Sequence, residues 1–63
     1  MNLKELRLKK KLTQDAIAKQ LGISKATVCL WERGLVVPRK KSFKKLSEVL
    51  GIESSQLLTF FYE

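Results

Sequence analysis

Residues 13–34 read TQDAIAKQLGISKATVCLWERG, and this stretch meets the demands of two short helices joined by a tight turn. Thr13 has the short hydroxyl side chain of an N-cap, with Asp15 in the first turn to oppose the helix dipole and helix formers behind it. The helix it starts is expected over residues 14–21. Gly22 ends it, because glycine takes the left-handed conformation of a helix C-terminus without a steric penalty. Ser24 then caps a further helix from Lys25 to about Arg33, and Gly34 stops that one. Ala18 is small where the two helices cross closely, and Ile17, Leu21, Ile23, Val28 and Trp31 fall where they must share a core. A plain αα-hairpin has the same geometry, so the surroundings have to say what the hairpin is for.

Working outward, β-branched residues are scattered and no stretch alternates cleanly, whereas apolar positions recur at three and four residues. Leu3, Leu6 and Leu12 predict a first amphipathic helix from about Asn2 to Lys10, with Lys4, Lys9 and Lys10 on its other side. After the apolar loop Leu35, Val36, Val37, Pro38, a fourth helix is expected from about Arg39 to Leu50, with Phe43, Leu46, Val49 and Leu50 turned inward. Gly51 closes it, Ile52 docks, and a last helix is expected from Ser54 to about Phe60, with Leu57 and Leu58 on the core side. There is no internal repeat, low-complexity tract or linker, so residues 1–63 are read as one all-helical domain.

Composition narrows the function. The chain has one cysteine and no histidine. No intrachain disulfide can form, which suits a reducing compartment. No apolar run is long enough to span a membrane, and no secretory signal pattern is visible, so a cytoplasmic location is expected. Without histidine, a phosphate-binding glycine loop or a suggestive pair of carboxylates, an enzyme is not expected, and neither is a metal, a cofactor or a small-molecule ligand. Charge is informative in its distribution. All thirteen Lys and Arg lie in residues 1–45 against Glu5, Asp15 and Glu32, a net +10, while residues 46–63 hold three Glu and no base, a net −3. A basic surface of this strength attracts polyphosphate, although lysine-rich surfaces also simply confer solubility.

The blocks LKELR (3–7), LTQDAIAKQLGIS (12–24), TVCLWERG (27–34), the proline after a short loop, and KKLSEVLGI (44–52) are specific in combination. From Leu3 to Leu58 the chain resembles the phage repressor and Cro class of helix-turn-helix regulators, also called the xenobiotic-response-element family. The resemblance implies a compact five-helix bundle of the lambda-repressor-like DNA-binding type, with the helix-turn-helix at helices two and three and the third helix in the major groove. It further implies homodimers on two-fold-related half-sites. It carries to Gln14 the family's glutamine clamp on the DNA backbone, and to Arg7 and Glu32 a partly buried salt bridge that orients the third helix.

Residue types assign the remaining roles. With Val28 and Trp31 on the buried side, a step of about 100° per residue points Ala26, Cys29, Leu30 and Arg33 outward, with Lys25 and Thr27 on the flanks. Lys25, Ala26, Thr27, Cys29 and Leu30 are therefore expected to face the bases; Ala26 and Leu30 have no donors and offer a base edge only apolar contact. Gln14, Arg33, Arg39, Lys40 and Lys41 are expected on phosphates. Cys29, with no resolving thiol or metal co-ligand, is read as an inert side chain on that helix. Three consecutive aromatics, Phe60, Phe61 and Tyr62, cannot all face one core on a helix, so at least one is exposed or buried by another subunit. A dimer interface of Phe60, Phe61 and Tyr62 with Val36 and Val37 is the preferred reading, against a terminal helix that covers its own core and a loop that packs under Pro38 within the monomer. The reading is a sequence-specific, double-stranded-DNA-binding repressor acting as a homodimer on a pseudo-palindromic operator. The rival is a protein-interaction module, antitoxin-like or adapter, on the same fold.

Overall fold

The computed structural model describes residues 2–62. Five helices follow one another: α1 (Leu3–Lys9), α2 (Gln14–Leu21), α3 (Lys25–Glu32), α4 (Lys40–Leu50) and α5 (Ser54–Leu58). Among the described residues there is no strand. The helix starts are written in local chemistry. Asn2 Oδ1 accepts from the Glu5 N–H at 2.9 Å, Thr13 Oγ1 from Ala16 at 3.0 Å and Ser24 Oγ from Thr27 at 3.2 Å, each satisfying a donor that helix geometry leaves free. Arg39, placed inside the fourth helix by its periodicity, instead precedes it as an N-cap without a side-chain cap bond; Asn2, Lys10 and Arg33 likewise flank their helices.

The ends of α1 and α2 share one closing device. Ile23 N–H donates to Ala18 O at 3.0 Å and Gly22 N–H to Lys19 O at 3.3 Å, around Gly22 at φ +70°. At α1 the same pair runs from Leu12 to Arg7 O and from Lys11 to Leu8 O, and the left-handed position is Lys11, at φ +58°. A Cβ at Gly22 would meet nothing within 4 Å, so glycine is needed there for its backbone angle and not for space.

α2 lies at the centre, packed on α3 and on α4; α1 packs on α3, and α5 on α4. The core they enclose is Leu3, Leu6, Ile17, Ala18, Leu21, Val28, Trp31, Leu46, Leu50 and Leu57. Phe43, Val49, Ile23 and Ile52 pack against its margin. Ser47 is also buried on the inner side of α4, its hydroxyl donating to Lys44 O at 2.7 Å.

The C-terminal segment departs from its periodic reading. α5 stops at Leu58, not near Phe60, and Leu58 is 43% exposed while Leu57 is fully buried. Thr59, Phe60 and Phe61 donate to the carbonyls three residues back, a tighter winding than the α-helix. That winding brings Phe60 and Phe61 back against the core, with Phe61 edge-to-face on Phe43 at 6.3 Å between centroids. With two phenylalanines filling the end of the core, Leu58 is left outside it.

Candidate nucleic-acid interface

α3 has two unlike sides. Val28 and Trp31 are buried, at 0% and 4% exposure, whereas Lys25, Ala26 and Arg33 are exposed and Thr27, Cys29 and Leu30 half-buried. Neither Cys29 nor Leu30 belongs to the core or to the apolar residues packed on it. The five residues expected to face bases are thus spread over the outer side and flanks of one two-turn helix, whose other side anchors it to the bundle. Thr27 is more engaged than its residue type suggests, because its hydroxyl lies 3.0 Å from that of Ser24 while its N–H is held by the same oxygen. The Ser-x-x-Thr spacing was the available signal.

What fixes α3 from behind is a charged network. Arg7 is 7% exposed; its Nε donates to Glu32 Oε2 at 2.6 Å, Nη2 to Glu32 Oε1 at 3.3 Å, and Nη1 to the Leu12 carbonyl at 2.9 Å. One guanidinium therefore ties the end of α1, the approach to α2 and the last turn of α3. Its planar fork matches the carboxylate as a lysine could not. Gln14 joins the same carboxylate, its Nε2 donating to Glu32 Oε1 at 3.0 Å. Nothing in sequence spacing announces this contact across eighteen residues. Among the described residues no buried side-chain polar atom lacks a partner. Arg7, Thr13, Gln14, Asp15 and Lys25 line an open recess where the starts of α2 and α3 meet.

Arg39, Lys40 and Lys41 are exposed at the first turn of α4, reached from α3 through the loop of residues 34–38. In that loop Pro38 is buried and Leu35, Val36 and Val37 are 62%, 41% and 40% exposed. Of the three tail aromatics, Phe60 and Phe61 are half-buried within the chain and Tyr62 is 59% exposed.

The sequence model of the helix-turn-helix family matches residues 3–57, which takes in all of α1 to α4 and the turn between α2 and α3. The chain belongs to the helix-turn-helix family. Two characterised proteins are similar to it. The HTH-type transcriptional activator BcrR of Enterococcus faecalis is 35% identical over 57 residues, 90% of this chain and 28% of that protein. The cryptic phage CTXphi transcriptional repressor RstR of Vibrio cholerae is 26% identical over 57 residues, 90% of this chain and 51% of that protein. The chain thus spans between about a quarter and a half of the length of these relatives. No solved structure matches it significantly. The resemblance to phage repressors drawn from the sequence is supported by these matches, and in this helix-turn-helix domain α2 and α3 form the name-giving unit with Gly22 at its turn. Among the described residues no helix is long and apolar enough to cross a membrane.

Proposed function

We propose that the chain is a sequence-specific, double-stranded-DNA-binding transcriptional regulator that places α3 in the major groove and binds a pseudo-palindromic operator as a homodimer. The observation that carries this is the outer side of α3. It is exposed at Ala26, half-buried at Cys29 and Leu30 without joining the core, and flanked by the exposed cations Lys25 and Arg33, while its inner side is pinned by Val28, Trp31 and the Arg7–Glu32 pair. A protein that only needed a stable hairpin would have no use for a charged network that fixes the helix's orientation at little net gain in stability.

In this reading the roles divide by chemistry. Lys25, Ala26, Thr27, Cys29 and Leu30 meet base edges. Arg33, Arg39, Lys40 and Lys41 neutralise phosphates and set register without reading sequence. Gln14 keeps one amide hydrogen on Glu32 and has a second for a phosphate oxygen, at the helix N-terminus that favours an anion. Glu32 thereby couples the backbone clamp to the reading helix. The exposed Val36, Val37 and Tyr62 face the second copy, with the half-buried Phe60 and Phe61 at the edge of that surface. A body 26 Å in its longest dimension lets two copies sit along one side of a duplex with their reading helices one helical turn, about 34 Å, apart. Occupying a promoter in this way blocks polymerase, and repression is the mode we assign; a site placed upstream of the promoter allows the opposite sign.

The test is titration of duplexes enriched from a random pool, followed by footprinting. Four phosphate-contacting cations per subunit predict that log K falls with log salt at a slope of about −7 for the dimer. The protected region should show two-fold symmetry. Salt-insensitive binding, or no enriched duplex at all, would refute the proposal.

A further inference from the structure

We infer that the outer side of α3 selects pyrimidines by their C5 methyl groups, so that each half-site carries two successive methyl-bearing pyrimidines, thymine or 5-methylcytosine, against Ala26, Cys29 and Leu30. The inference rests on the DNA-binding reading above and adds the chemistry of what is read. Ala26, Cys29 and Leu30 stand at i, i+3 and i+4 and so form one continuous apolar patch. Ala26 is exposed, Cys29 and Leu30 are half-buried, and none of the three belongs to the core or to the apolar residues packed on it.

The hydroxyls at the start of the helix, and one amide hydrogen of Gln14, are already committed. The hydroxyls of Ser24 and Thr27 are bonded to each other, and the Gln14 amide is held on Glu32. From Ala26 to Leu30 the rise is about 6 Å, enough to cover two base pairs spaced by about 3.4 Å.

Against such a patch the four base pairs are not equivalent. Guanine and adenine present N7 and O6 or N6, and cytosine presents its N4 amino group. Covering any of these with alanine or leucine strips water from a polar atom and returns no hydrogen bond. Thymine alone among the standard bases presents a methyl group, and burying it is favourable. The methyl of 5-methylcytosine occupies the same place on the ring. Methylation of a cytosine opposite the patch therefore strengthens binding, and occupancy of such a site responds to the methylation state of the DNA.

The experiment begins from the duplex that this chain enriches from a random pool. Each half-site thymine is replaced in turn by deoxyuridine, and the T·A pairs opposite the patch by C·G and by 5-methylcytosine·G; affinity is read by fluorescence anisotropy. Loss of one buried methyl predicts about four-fold weaker binding at each of two successive positions, and 5-methylcytosine should exceed cytosine there by a similar factor. Leu30→Ala should abolish the thymine-over-uracil preference, while Lys25→Ala keeps it. Should Leu30→Ala fail to fold, the deoxyuridine series on the unaltered chain decides alone. An enriched duplex whose affinity changes less than two-fold at every deoxyuridine position overturns the methyl assignment and leaves DNA binding standing. A pool that yields no enriched duplex removes both.

Discussion

The α2-turn-α3 unit and the segment after α4 are built on different terms. In residues 13–34 local chemistry and tertiary packing agree: hydroxyl caps at Thr13 and Ser24, a left-handed glycine at Gly22, and Ile17, Ala18, Leu21, Val28 and Trp31 turned to the core. In residues 52–62 local chemistry marks the start of the helix, where Glu53 N–H donates to Gln56 Oε1 at 3.3 Å in a capping box, and packing decides its end. α5 has five residues, and its end is decided by where Phe60 and Phe61 find room. A helix of that length is not stable on its own, so its bounds follow the surface it lies on. The half proposed to carry recognition is over-determined, and the half left to cover the core and to meet a second copy is not.

Substitutions can break or sharpen that contrast. The largest effect is expected at Glu32→Ala, which leaves the buried Arg7 guanidinium without its carboxylate and should cost about 3 to 5 kcal/mol of stability by urea denaturation. An unchanged denaturation midpoint would mean that the network does not pin α3. Next come two neighbours in the C-terminal segment. Leu57→Ala empties a fully buried site and should cost about 2 to 5 kcal/mol, whereas Leu58→Ala should stay within about 0.5 kcal/mol. Equal losses would show that α5 docks with a different face.

Gly22→Ala isolates the turn. With nothing within 4 Å of a new Cβ, its expected cost of about 1 to 2 kcal/mol comes from the left-handed backbone alone. The smallest change is a gain. Lys11 holds the equivalent position after α1 with a side chain, and Lys11→Gly should stabilise the domain by up to about 1 kcal/mol, readable as a rise in thermal midpoint. A fall there would mean that the Lys11 side chain contributes more than its backbone strain costs.

The same contrast explains how far the sequence could be read. All five helices were legible, because caps, glycines and apolar periodicity each mark a helix, and in residues 13–34 the marks coincide. The outward direction of Ala26 and Arg33 follows from the buried positions of Val28 and Trp31 alone. Three things were not legible. Leu58 shares with Leu57 a place in the apolar pattern, and only the competition from Phe60 and Phe61 decides which is buried. Ser47 is a polar residue on an inner face, satisfied by the Lys44 carbonyl of its own helix, and periodicity treats such a residue as solvent-facing. The Gln14 to Glu32 hydrogen bond depends on the crossing of α2 and α3, a relation that no local spacing encodes.

The most direct measurement is the change in backbone amide NMR shifts when an enriched duplex is added to the labelled chain. The expected result is that the largest changes fall at residues 13–14, 24–33 and 39–41, with the amides around Leu46 and Leu57 nearly still. Changes concentrated in residues 35–37 and 58–62, with Lys25 to Arg33 unmoved, would contradict a role for α3 as the element that touches DNA.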